Sequence, residues 1–235
     1  AIHTLALSKK FFAPRERLVT EIADDTRGEA GAFLSYERMQ RYLSRRGMPY
    51  TKGVVVRKSS DIQKVRSYPI AMKALSTRAL HKARSNALRL NVASQSAAES
   101  VFTELSGLFS GKGLEGVLAQ PMVSGGREFF IGIKRDPQFG LVTLFGIGGT
   151  LAEELHDIVM RVGILSKRHV GDMLAELRNQ HLLQDCDIRF ISDLLLSINL
   201  MAARDPKMLE LDCNPVVVFR QGGTIIDARI RYAAK

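Results

Sequence analysis

The chain has 235 residues, and a hydrophobic fraction of 46% is enough for one large packed domain or two small ones, which excludes a disordered chain. Its two cysteines, Cys186 and Cys213, have no metal-type spacing, and there is no apolar run of about eighteen residues to span a membrane, so a reduced, cytoplasmic setting away from membranes is expected. The net charge of +10 sits in residues 1–90, with nineteen Lys and Arg against seven Asp and Glu; this suits a polyphosphate ligand as well as nucleic acid, and without basic–aromatic interleaving nucleic acid is the minor reading.

Residues 1–32 are irregular and charged, and read as a linker or the tail of a preceding domain; the first residue is Ala, which fits a segment of a longer chain. A helix is expected from about Ser35, with Met39, Tyr42 and Leu43 as its apolar stripe and Gly47 and Pro49 as its stop. Val54–Val56 reads as a buried strand, and Ser60-Asp61-Ile62-Gln63 as a capping box opening a short helix. Strands at Ile70–Ala74 and Ala87–Val92 follow, then a helix capped at Ser96 that turns Val101, Phe102, Leu105, Leu108 and Phe109 to a core. These elements make a small α/β lobe, residues 33–115.

The second lobe, residues 116–235, opens with a strand over Gly116–Gln120. A hairpin is expected from Glu128–Arg135 and Leu141–Phe145 around the turn Asp136-Pro137-Gln138-Phe139-Gly140. Gly146-Ile147-Gly148-Gly149 precedes a short helix capped at Thr150, and helices are expected near 167–182 and 188–203. The chain ends in a second hairpin, in which Glu210-Leu211-Asp212-Cys213-Asn214-Pro215 leads a strand and Gly222-Gly223 turns it back towards Asp227. The order of elements gives an α+β (α/β) fold of two lobes with a ligand between them.

That last hairpin carries the clearest chemistry. Strand alternation points Asp212 and Asn214 the same way, with Cys213 opposite, and the turn brings Asp227 beside them. Two carboxylates and an amide oxygen suit a hard cation such as Mg²⁺, which keeps its other positions for water and phosphate oxygens. Elsewhere each residue has a plain alternative. Lys73, at the end of an apolar strand, either snorkels or meets a phosphate. His81 is either a solvated loop histidine or a phosphate carrier. Gly148 and Gly149 form either a tight turn or an anion cradle. Lys134 and Arg135 are either a charged hairpin tip or cations facing a transferring phosphoryl group.

Together, the run Gln120 to Gly140, the motif Leu144-Phe145-Gly146-Ile147-Gly148-Gly149-Thr150, the Glu210-to-Pro215 stretch and Asp227-Ala228-Arg229-Ile230 resemble the ATP-grasp domain of NDP-forming acyl-CoA synthetases, from about Phe33 to Tyr232. The resemblance implies an ATP-grasp fold whose two lobes clasp ATP, with adenine against Gln120, Pro121, Met122 and Val123, Lys73 on phosphate, Glu128 in the nucleotide site, and Mg²⁺ on Asp212, Asn214 and Asp227. It implies that His81 carries a phosphoryl group, and that Gly148 and Gly149 face the phosphohistidine loop of a partner, with a separate CoA-binding domain or subunit completing the enzyme. One departure stands out: after His81-Lys82 the family reads Ser-Asp, an apolar residue and Gly-Gly, whereas this chain reads Ala83-Arg84-Ser85-Asn86-Ala87. That departure fits a second group, in which a synthetase-like region acts as the regulatory nucleotide- or acyl-CoA-sensing module of a GNAT-type protein lysine acetyltransferase.

Overall fold

The structure, a computed structural model, describes residues 31–76, 87–149 and 157–234. His81 and the helix start expected at Thr150 lie outside these residues, as does most of the proposed linker. Two compact units are formed, one by residues 36–125 and the other by residues 31–35 together with 126–234.

In the unit 36–125, helix α1 (Tyr36–Arg45) buries Tyr36, Met39 and Leu43, a spacing that keeps one face apolar, and Gly47 at φ +65° ends the run. Tyr42, placed on that stripe by the sequence, is only half-buried. Four antiparallel strands follow in the order β2, β5, β3, β4: β2 is Val54–Val56, β3 Ile70–Ser76, β4 Leu88–Val92 and β5 Leu114–Pro121. The strand expected to open the second lobe is therefore β5, paired here with β2 and β3. Helix α2 (Gln95–Leu108) is capped by Ser94, whose hydroxyl accepts from Ala97 N at 3.2 Å, two residues before the expected cap. Its Ala98 and Leu105, with Phe109 just beyond, pack with Ile70, Met72, Ala74, Val92, Val117 and Ala119, while Leu108 stays exposed. The short helix at Ser59–Lys64 is 3₁₀ and is held by Asp61 rather than by Ser60 and Gln63: the Asp61 carboxylate accepts from the backbone N–H groups of Arg57 and Lys58 and from Lys64 Nζ.

The other unit is built on a seven-stranded antiparallel sheet. Strand β1 (Gly31–Phe33) was not expected from the sequence; it lies at one edge, and the order runs on through β11 (Ala228–Ala233), β9 (Met208–Val218), β6 (Arg127–Asp136), β7 (Gly140–Ile147) and β8 (Ile158–Val162), with β10 (Gly223–Ile225) also on β9. The β6–β7 hairpin forms as expected, its turn closed by Asp136 Oδ1 accepting from Gln138 N and Phe139 N at 2.8 and 2.9 Å. Phe129 and Phe145 stack across it at 5.4 Å, both buried; full burial of a ring this size contributes about 1.5–3 kcal/mol.

Helices α3 (Lys167–Ala175) and α4 (Ile188–Ala203) cover one face of this sheet. The helix expected to reach residue 182 ends at Ala175, where a separate 3₁₀ turn, Gln180–Leu183, follows. Asn199 of α4 is buried and ties the layers together: its amide donates to Thr143 Oγ1 (2.9 Å) and Gly163 O (3.0 Å), and its oxygen accepts from Leu165 N (2.9 Å). Asp187 caps α4 through Phe190 N and also accepts from Gly222 N in the β9–β10 turn; these backbone donors, Gly222 foremost, hold its carboxyl below the usual range.

Candidate functional site

The sheet register builds the site. Gly132, Asp212 and Arg229 face one another across β6, β9 and β11, and the next row on the same face is Lys134, Glu210 and Arg231. The rows of the other face are Ile131–Cys213–Ala228 and Ile133–Leu211–Ile230, all buried. Strand alternation thus sends every charged side chain of these rows to one face and every apolar one to the helices.

Asp227 falls between β10 and β11, where its carbonyl accepts from Asn214 N at 3.1 Å. The charges of Asp212 and Asp227 both bear on the buried Cys213 thiol, which is pushed well up, first by burial and then by these two carboxylates. Asp212, Asn214 and Asp227 are therefore neighbours, with Asp212 and Asp227 half-buried and Asn214 exposed. Among the described residues no group of three or more His, Cys, Asp and Glu gathers. Two carboxylates and an exposed amide do not form a closed protein cage, and this donor set fits a hard divalent cation that completes its shell with water and phosphate oxygens.

Beside it, Gly132 has no Cβ, and one would meet the Phe130 ring at 2.6 Å, so the ring rests against the backbone opposite Asp212. Glu128, Gly148 and Gly149 also come together. Gly148 N donates to Glu128 O at 2.9 Å, a Cβ on Gly148 would meet the Phe129 backbone at 2.5 Å, and the Glu128 carboxylate fills the space where Gly149 would carry a Cβ.

Lys134 and Arg135 lie on opposite faces of β6. Lys134 stands in the charged row, whereas Arg135 donates through Nη2 to Ala202 O (2.8 Å) and Asp205 O (3.4 Å) and through Nε to Met208 O (3.3 Å), gathering carbonyls at the end of α4. The remaining expected residues lie in the unit 36–125. Lys73 is in the middle of β3, not at its end, and faces away from the core made by Met72 and Ala74. Gln120 is buried, with Nε2 donating to Thr51 O at 2.7 Å; Pro121 is exposed, Met122 N donates to Pro69 O at 3.2 Å, and Val123 is half-buried.

The sequence motifs include Glu210 and Arg229 without giving them a role, and Arg231 falls just outside them. Alternation from Asp212 and Asp227 was the signal that places them on the site's face.

Residues 26–232 match the family model described as an ATP-grasp domain. The chain is 35% identical over 191 residues to acetate–CoA ligase (ADP-forming) I of Archaeoglobus fulgidus, covering 77% of this chain but only 28% of that protein. It is 31% identical over 215 residues to the beta subunit of acetate–CoA ligase (ADP-forming) II of Pyrococcus furiosus, covering 85% of this chain and 91% of the subunit. Among solved structures it resembles the dinucleotide-forming acetyl-coenzyme A synthetase 1 of Ca. Korarchaeum cryptofilum in complex with coenzyme A, Ca-AMPCP and HgCl+, with a TM-score of 0.78, 26% identity and coverage of 93% of this chain and 99% of that one.

Proposed function

The chain belongs to the ATP-grasp domain family of the ADP-forming acyl-CoA synthetases, and on that premise we propose that it binds ATP with Mg²⁺ and passes a phosphoryl group between ATP and His81. The observation that carries this is the gathering of Asp212, Asn214 and Asp227 on the charged face of the sheet. Bound there, Mg²⁺ would neutralise phosphate charge and orient the β- and γ-phosphates.

The chain's own residues do the rest. Lys134 supplies positive charge in the neighbouring row, Lys73 takes a phosphate oxygen, and Gln120 to Val123 provide the adenine edge. Glu128, seated on Gly149, shapes the site, and Gly148 and Gly149 bring backbone close to it. The His81 imidazole attacks the γ-phosphorus, so that an N–P bond forms as the bond to the β–γ bridging oxygen breaks and ADP leaves. Arg135, engaged by the carbonyls of Ala202, Asp205 and Met208, has a structural part.

The parent activity is that of an acid–CoA ligase (ADP-forming), with a CoA-binding domain or subunit as partner and the cytoplasm as its place. Among the described residues no helix is long and apolar enough to cross a membrane. The named relatives are ligases, so the acetyltransferase reading gains no support.

The test is calorimetric titration of ATP with and without Mg²⁺, on the wild-type chain and on Asp212→Ala. Binding that Mg²⁺ tightens by roughly tenfold or more, and that the variant loses, is the expected result. Equal binding under all four conditions would overturn the metal assignment. Transfer of label from γ-labelled ATP to the chain, absent in His81→Ala, tests the relay.

A further inference from the structure

The two arginines of β11 stand two residues apart on the carboxylate face, yet their surroundings differ. Arg231 is only 6% exposed, and its Nε donates to Glu210 Oε2 at 3.2 Å, so its charge is met inside the protein. Arg229 is half-buried and lies in register with Asp212; among the described residues its side chain makes no hydrogen bond and no ion pair. A guanidinium carries five donors in a rigid fork that matches phosphate and carboxylate oxygens. With no acceptor among the described residues, this half-buried fork is placed to take its acceptors from a ligand.

The position narrows what that ligand is. Asp212 stands directly across the ladder and Asp227 two residues before Arg229, so the guanidinium borders the donor set of the proposed metal site. A ligand reaching both must offer oxygens to a cation and to a guanidinium at once, as a polyphosphate chain does.

Resting on the nucleotide reading above, we propose that Arg229 is a binding residue for the nucleotide's phosphate chain, gripping oxygens beside the Asp212–Asp227 pair. The alternative role, a fixed counter-ion that only keeps Asp212 compensated, predicts no loss of Mg·ATP affinity when Arg229 is removed. In both roles a like charge beside the bare metal has gone, so the nucleotide is what separates them.

The experiment measures binding of Mg·ATP, of adenosine and of Mn²⁺ alone to the wild-type chain, Arg229→Ala, Arg229→Gln and Arg229→Lys. The expected result is a loss of Mg·ATP affinity of roughly tenfold or more in the Ala and Gln variants, with partial recovery in the Lys variant, which keeps charge but not the fork. Adenosine affinity stays unchanged, and Mn²⁺ alone binds as tightly as before or more tightly, because a like charge has gone. Unchanged Mg·ATP affinity in a folded Ala or Gln variant overturns the assignment, as does an equal loss for adenosine and ATP. A wild-type chain that binds no Mg·ATP removes the nucleotide reading and this assignment with it; wild-type binding with unaltered variants removes this assignment alone.

Discussion

The carboxylate of Glu128 is seated on the α-carbon of Gly149, in the space a side chain would need, while Gly148 N donates to Glu128 O at 2.9 Å. Gly149 also has a left-handed backbone, φ +64°. Gly149→Ala therefore carries two separable costs: about 1–2 kcal/mol for the backbone, and a further cost of about 1 kcal/mol for displacing Glu128. The second disappears when Glu128 is already Ala. Denaturant midpoints of the two single variants and the double variant should reveal this coupling. Equal costs of Gly149→Ala on both backgrounds would show that the carboxylate moves aside freely.

A pH dependence follows from Asp61. Lys64 Nζ at 2.7 Å, with the backbone donors of Arg57 and Lys58, lowers its carboxyl to about 2. The unfolded chain protonates the same group near the ordinary value of about 3.9. The unfolded state thus takes the proton first, and the stabilisation is complete above about pH 4 and lost as pH falls towards 2. Asp61→Asn lacks this contribution. In thermal melts the wild type should lead the variant at pH 5, with the gap closing towards pH 2; a gap of constant size would refute the argument.

The parts of the fold that could be read from the sequence were those governed by local rules. The β6–β7 hairpin was legible because the Asp136–Gly140 turn separates two apolar runs, and α1 because Met39 and Leu43 keep helical spacing before Gly47. Strand β1 was not legible, since Gly31-Ala32-Phe33 has no pattern of its own and forms only because β11 offers an edge. Strand β8 was missed for a similar reason, as Ile158–Val162 takes its identity from pairing with β7. At the site, Asp212, Asn214 and Asp227 came from alternation and one turn, both local. Arg135 and Lys134 were read together, but sequence adjacency in a strand means opposite faces. Its carbonyl partners at Ala202, Asp205 and Met208 lie some seventy positions away.

Asn199 gives a test of how the α4 layer is held to the sheet. Its amide meets Thr143 Oγ1, Gly163 O and Leu165 N, all at about 3 Å, the first and last buried and Gly163 O part-buried. Asn199→Leu matches the volume but leaves those three groups without a partner, which should cost about 2–4 kcal/mol in urea unfolding. Adding Thr143→Val removes one of the orphaned groups and should return part of the loss. A double variant no more stable than the single one would mean that Thr143 finds another partner on its own.

Arg135 decides between the two roles that its position in the β6 hairpin permits. As a clamp it joins the last turn of α4, at Ala202 O, to the connection into β9, at Asp205 O and Met208 O. Removing it cuts this tie, and charged hydrogen bonds of this kind contribute about 1.5–3 kcal/mol. Arg135→Ala should therefore lower the unfolding free energy by about that amount. Arg135→Lys should lose nearly as much, because one ammonium cannot span the separated carbonyls of Ala202, Asp205 and Met208. Mg·ATP affinity, measured below the melting transition, should stay within about twofold of the wild type, since the side chain works on the helix side of the sheet and Lys134 on the other. Loss of nucleotide binding with stability intact would reverse this assignment and return Arg135 to the phosphate.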